Sequence, residues 1–467
     1  MRMIVSGIKS SAEGSTYTLL GGGKSVSANL QLKLDLLESV CMEKEGDTYV
    51  HDGKVPIAAV DEDEMRSELG KVLARMKLDK PETERAQLGP DREDIYRIDA
   101  AMEDRLAEAA KAFASALFSG APISVRFHND GDGSSGAIAL HRALEHLGKK
   151  AGCEFPNVHW RMQRGISYSE DDLGYDRAVL SRHESVLKPL MVMIDFGTSG
   201  ESNSAMEHAA GLADFVWLDH HPVVEEFRKD LAGLYINPWD FGGDSNYTAG
   251  MLAARFAEVL SGTGMRLLKE VSMISDVSKY ADKSYHDAQK IATVLDFITG
   301  SRKYSHAGSG MSPGELRRLI NDGERLSGLF SEISEIVSGS IASGAKYSKS
   351  YRSKAGIRIR VLDFDKVLAE NPDTLLPGRY SSRLHESLFD SGGPGGVTIV
   401  SFGSYISIRV SKILSEKIAL PRIIAELSEE FEGEVSGGGH NEASSVKVND
   451  HDMIDDVVRS LLRKLGI

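Results

Sequence analysis

Apolar runs of strand length punctuate the middle of the chain, at Ile123 to Phe127, Pro189 to Ile194 and Asp214 to Leu218, and they read as buried strands. Helical periodicity follows the first run from Ser134 to Leu147 and returns from Thr248 to Leu260. A strand followed by a helix, repeated, predicts an α/β, doubly wound domain with a parallel sheet and right-handed crossovers. Upstream, Met1 to Val60 alternates short β-like runs with turns, which predicts a small β-rich N-terminal domain. Asp61 to Met76 reads as an acidic helix and Ile98 to Phe118 as an amphipathic helix entering the α/β domain. From His286 to Ser340 the pattern is mainly helical, broken by a Ser/Gly-rich stretch from Gly300 to Pro313.

Polar chemistry gathers where the apolar runs stop. His128-Asn129-Asp130-Gly131-Asp132-Gly133 follows the first, Asp195 the second and Asp219-His220-His221 the third, and Asp276 stands in a fourth segment. Parallel sheets bind ligands at the carboxyl ends of their strands, so these groups are expected to converge. Alone, Asp-Gly-Asp-Gly is most often a solvated turn, and Asp-His-His a hydrogen-bonded core histidine. A calcium loop is excluded, because spaced oxygen ligands and a closing Glu are missing after Asp130. Together and in this order, the four clusters predict one binuclear metal centre. Gly21-Gly22-Gly23-Lys24 lacks the spacing of a phosphate-binding loop and reads as a turn.

A chain of 467 residues exceeds one simple core. Composition suggests an N-terminal domain over 1–76, a linker over 77–93 marked by Pro81, Gly89 and Pro90, a metal-binding domain over 94–300, a helical connector over 301–345 and a C-terminal domain over 346–467. No run reaches membrane-spanning length and no leader is recognisable, so a cytoplasmic protein with no membrane partner is expected. Cys41 and Cys153 offer neither a disulfide framework nor a thiolate metal site. A net charge of −14 argues against nonspecific nucleic-acid binding by the whole chain. The window from Ser343 to Arg360 departs from it: six Lys and Arg, no acid, and Tyr347 and Tyr351 between them. Two readings stay open there, a track on which bases of a single strand stack and a solvated hairpin at a domain edge.

The order His-X-Asp-X-Asp-Gly, Asp, Asp-His-His, Asp resembles the DHH phosphoesterase superfamily. Gly437-Gly438-Gly439-His440-Asn441-Glu442-Ala443 resembles the substrate motif of the companion DHHA1 domain, and Ile406 to Ser411 the basic strand before it. Ser444 and Ser445 depart from the usual ending of that motif. The resemblance implies a second, smaller α/β domain, with a substrate cleft between the two. It also implies one metal held by His128, Asp130 and Asp195 and another by Asp132, Asp195, His220 and Asp276. His221 would then face the phosphate, oriented by Asp219, and Asp132 would share in the catalytic machinery. Arg409, Gly437, Gly438, Gly439 and His440 would bind substrate. The mixed donor set suits two Mn²⁺ ions, with Mg²⁺ as a harder substitute. Length and domain order are more similar to RecJ-type exonucleases, especially archaeal ones, than to the compact hydrolases. That implies single-stranded DNA or RNA as substrate, with GINS and the replicative helicase as partners. The alternatives are a phosphodiesterase for short oligonucleotides or cyclic dinucleotides, and a helicase scaffold without turnover. Replacing Asp132 with Ala is expected to abolish hydrolysis and spare the fold, by relieving repulsion in an acidic cluster.

Overall fold

Parallel strands β7 (Ile123–His128), β8 (Val158–Gln163), β10 (Leu190–Ile194), β11 (Asp214–Leu218) and β12 (Leu234–Ile236) form one sheet in the order β12-β11-β10-β7-β8. Every residue of β10 is buried, as a strand covered on both faces requires. The strand order reverses direction between β7 and β10, which is the topological switch point where such sheets bind ligands.

The computed structural model describes the chain except residues 1, 12–13, 22–23, 30–34, 37, 46–47, 52–57, 77–91, 153, 224–225, 301–309, 390–392 and 440. Most of the expected linker at 77–93, the tip of the Gly21 to Lys24 turn, much of the Ser/Gly-rich stretch, Cys153 and His440 therefore lie outside the described residues. Two units are distinguished: Met1–Thr299 with Ser305–Ser327, and Gly300–Tyr304 with Gly328–Ile467. Among the described residues no helix is long and apolar enough to cross a membrane.

In the first unit, β1 (Arg2–Ser11), β2 (Gly14–Gly21), β3 (Lys24–Asn29), β4 (Glu38–Glu45), β5 (Thr48–His51) and β6 (Ala58–Ala59) form an antiparallel sheet in agreement with the β-rich reading. A short strand from the α/β region, β9 (His183–Ser185), pairs with β1 and joins this sheet. Helix α1 spans Glu62–Met76 and α2 spans Glu93–Ser119, ending at Gly120 with φ 76°. The crossover helices are α3 (Gly131–Ala151), α4 (Glu170–Leu180) and α5 (Asn203–Ala210), followed by α6 (Ala249–Ser261), α7 (Arg266–Ser275) and α8 (His286–Gly300). Helix α3 starts where it does because Asp130 caps it, its side chain accepting the Gly133 N–H. Helices α3 and α6 meet at glycines: a Cβ on Gly250 would stand 2.3 Å from the Asp132 carbonyl oxygen. Helix α9 (Pro313–Asn321) opens on a capping box of Ser312 and Glu315, with Pro313 at its first turn.

Helix α10 (Gly323–Tyr347) leads into the second unit. There β13 (Lys349–Arg352), β14 (Arg358–Asp363), β15 (Val397–Phe402), β16 (Tyr405–Val410), β17 (Val435–Gly439) and β18 (Ala443–Val448) form a mixed sheet, ordered β13-β14-β15-β16-β18-β17. Its core packs Ile399, Ile406, Ile408 and Val446 with Leu427 of α11 (Leu420–Glu430) and Leu461 of α12 (Ile454–Lys464), giving the smaller α/β domain expected. The basic window runs from the end of α10 through the β13–β14 hairpin. Tyr351 packs against the core of this unit, and Glu370 engages both Lys346 and the Tyr347 hydroxyl. Both tyrosines are partly buried. The glycine run lies in an edge strand, because β18 supplies a ladder for its backbone.

Candidate metal centre

Each side chain of the centre is aimed by the end of a regular element. His128 is the last residue of β7 and Asp130 and Asp132 sit in the turn and first turn of α3. Asp195 follows β10 with φ 69°, a left-handed conformation that Asp tolerates better than most residues. Asp219, His220 and His221 follow β11, and Asp276 caps the C-terminus of α7. The first three clusters stand at strand ends as expected, and a helix end delivers Asp276.

These residues form three groups whose donor atoms lie within 4.8 Å of one another: His128, Asp130 and Asp195; Asp132, His220 and Asp276; and Asp195, His220 and His221. Asp195 and His220 each belong to two. His128 Nδ1 lies 2.7 Å from Asp130 Oδ2 and 3.7 Å from Asp195 Oδ2. His220 Nε2 lies 3.4 Å from Asp195 Oδ1, 3.7 Å from Asp132 Oδ2 and 3.7 Å from Asp276 Oδ2. Asp132, Asp195 and His220 are buried, while half of the His221 side chain is exposed.

The electrostatics call for cations. Burial, then the charge of Asp195, pushes the Asp132 carboxyl well above the usual carboxylate range; burial likewise raises Asp276. Burial opposes charge on His128 and His220, but the carboxylates around them outweigh it and raise both above ordinary imidazole. Asp195 Oδ2 is buried without a hydrogen-bond partner. An unsatisfied carboxylate oxygen among crowded acids and imidazoles fits a divalent cation, and the carboxylate and imidazole donors suit Mn²⁺ or Mg²⁺.

A supporting layer fixes the donors. His220 Nδ1 is 2.7 Å from the Ser245 carbonyl, leaving Nε2 for the centre. Asp219 Oδ1 accepts the His220 and His221 N–H groups and lies 2.8 Å from His221 Nδ1. Burial opposes its ionisation, but the neighbouring histidines hold Asp219 down to about 2, and Asp219 in turn raises His221 against burial. Asp132 accepts N–H bonds from Ala249 at 3.1 Å and Gly250 at 2.9 Å, and the Ser272 hydroxyl. It thus anchors the N-terminus of α6. Ser245, Gly250 and Ser272 escaped the sequence reading; only Ser272, one helical turn before Asp276, carried a signal in its spacing.

In the second unit Arg409 lies on β16 and Gly437, Gly438 and Gly439 on β17, with β18 between the two strands. Arg409 donates to the Gly378 carbonyl at 3.2 Å, and its Nε is buried without a partner. Burial, then the neighbouring Arg379 charge, lowers its basicity.

No family model matches the sequence. An uncharacterized protein of Methanocaldococcus jannaschii is 25% identical over 399 residues, covering 74% of this chain and 52% of that protein. The chain thus spans about half the length of the curated relative it matches. The DHH domain of a protein described as belonging to a family of ribosomal proteins shares the fold with a TM-score of 0.68 at 21% identity, over 87% of this chain and 99% of its own. Exonuclease RecJ bound to manganese gives a TM-score of 0.52 at 17% identity, over 78% of this chain and 94% of its own. RecJ of Thermus thermophilus in complex with Mn²⁺ gives 0.50 at 18% identity, over 77% of this chain and 55% of its own. Sheet order, strand-end chemistry and these likenesses agree, and the chain has the DHH/RecJ-like fold.

Proposed function

We propose that the protein is a metal-dependent phosphodiesterase of the DHH type that shortens single-stranded DNA or RNA. The observation that carries this reading is the sharing of Asp195 and His220 between acid and imidazole groups at the switch point of the parallel sheet. His128, Asp130 and Asp195 would hold one divalent cation, and Asp132, Asp195, His220 and Asp276 a second, so that Asp195 would serve both. When bound, a pair of such cations activates water and offsets the charge on the attacking and leaving oxygens of a phosphodiester.

The protein's own groups do the rest. His221, half exposed and held at Nδ1 by Asp219, presents Nε2 as a donor to a phosphate oxygen. Asp219 orients that imidazole and favours its protonated form. In the second unit Arg409 and the edge-strand glycines supply a guanidinium and backbone N–H groups suited to a phosphate. Cleavage of short oligonucleotides or cyclic dinucleotides is the second reading, favoured by the engagement of Tyr347 and Tyr351 elsewhere. Purified protein with Mn²⁺ and end-labelled long and short strands of DNA and RNA decides between them. Progressive shortening of long strands supports the exonuclease, and cleavage confined to short ones supports the second reading. Hydrolysis of neither, or hydrolysis undiminished by Asp132→Asn, overturns the phosphodiesterase.

A further inference from the structure

If the tyrosines of the basic window are engaged elsewhere, the base of an unpaired nucleotide needs another aromatic face. The chain has three tryptophans. Trp217 is fully buried in the sheet core, whereas 46% of Trp239 is exposed. Trp239 lies in the short helical turn Pro238–Phe241 just after β12, at the same carboxyl edge of the sheet as the metal donors.

This exposed indole is held in place. Its Nε1 donates to the His220 carbonyl at 3.1 Å and to the Ser245 hydroxyl at 3.2 Å. The Ser245 hydroxyl donates to the same His220 carbonyl, and the Ser245 carbonyl engages His220 Nδ1. The Trp239 backbone N–H bonds to Asn237 Oδ1, while Asn237 Nδ2 donates to the His221 carbonyl. Backbone and indole are thus tied separately to His220 and His221. The polar edge of the ring is satisfied, so what the indole has left to offer a ligand is its apolar π system. A large aromatic fixed in this way loses little conformational freedom when a flat group stacks on it. Leaving it half in water beside a polar, charged centre has no packing rationale of its own.

We infer that Trp239 is the stacking platform for the nucleobase of the nucleotide whose phosphate lies at the metal centre. Stacking accepts every base, since each has a π face, and it requires the base to be unpaired. The inference rests on the phosphodiesterase reading and gives it a physical source of single-strand preference.

The test uses the full chain and separates stacking from turnover. In the Asp132→Asn background, titrating an oligothymidylate should quench tryptophan fluorescence, and Trp239→Phe should remove that quenching. In the active protein with Mn²⁺, Trp239→Ala should raise KM about tenfold for a strand with ordinary bases, as loss of one stacked base implies. It should leave a strand that is abasic at the cleaved end nearly unchanged, with Trp239→Phe close to the parent on both. Bis(p-nitrophenyl) phosphate, which has no base, reports the phosphodiesterase itself. Quenching unaffected by Trp239→Phe, or equal effects of Trp239→Ala on ordinary and abasic strands, overturns the stacking role. Failure of the base-free ester alone counts against the function and leaves the fluorescence titration to decide the platform.

Discussion

Asp195 joins two features that rarely coincide: a left-handed backbone at φ 69° and a buried carboxylate oxygen without a hydrogen-bond partner. Strained residues of this kind persist where the surroundings over-determine them, and sites of chemistry are such places. Asp195→Asn preserves shape and tolerance of that backbone while removing the charge. Without metal, the variant should melt at or above the parent temperature, because Asp195 is the principal charge destabilising ionised Asp132. Mn²⁺ at a hundredfold excess over Kd should stabilise the parent fold by about 2.7 kcal/mol and so raise its melting temperature, with EDTA reversing the shift and Asp195→Asn abolishing it. Thermal scans with and without metal measure all three effects. Asp132 teaches the opposite lesson about substitution. The expectation that Asp132→Ala spares the fold overlooks its role as acceptor for Ala249, Gly250 and Ser272, so Ala removes an anchor along with a charge. Asn, which retains an acceptor oxygen, is the better control.

At the scale of the element, α7 shows how a helix end delivers a ligand. The Val277 N–H bonds to the Ile274 carbonyl at 3.2 Å and the Ser278 N–H to the Met273 carbonyl at 2.8 Å, the paired bonds of a glycine-type helix stop. Val277 occupies the position where glycine is usual, at φ 53°, with 66% of its surface exposed. A β-branched residue there costs about 1–2 kcal/mol. Val277→Gly should therefore stabilise the protein by about 1 kcal/mol in urea denaturation, since little packing is lost. A destabilised variant would show that the Val277 side chain makes contacts that outweigh the backbone strain.

Across the first unit, one buried network ties α4 to the parallel sheet. Arg126, wholly buried on β7, pairs with Asp176 at 2.7 Å and Asp172 at 2.9 Å, and bonds to Gln163 of β8. Asp176→Asn leaves a buried guanidinium short of a counter-charge and should cost about 3 kcal/mol or more in chemical denaturation. Burial works against ionised Asp172, but bonds from Gln163 and the Arg126 charge outweigh it and hold its carboxyl below the usual value. The unfolded chain then binds the proton more readily than the folded one. The stabilisation is complete above the ordinary carboxylate value near 3.8 and is lost as pH falls through the lower folded value. Asp172→Asn should flatten the acid limb of the stability curve, and an unchanged limb would assign it to other carboxylates.

The continuous apolar runs determined the strands at Ile123, Leu190 and Asp214, because a strand covered on both faces admits few polar residues. With those strands in place, the acids and histidines immediately after them were legible as one group, since covalent attachment to a strand end leaves little freedom of position. The buried Arg126 broke the apolar pattern without explanation in the sequence, because its counter-charges come from a helix some fifty residues away. Tertiary structure alone decided that Asp276 arrives from a helix end, that Gly250 lets α6 approach Asp132, and that the glycine run lies in an edge strand. It also decided that Trp239 stays in the open while Tyr347 and Tyr351 are partly buried. Local sequence sets which element a residue belongs to, but burial, close approach and partner choice depend on residues distant along the chain, and only packing brings those together.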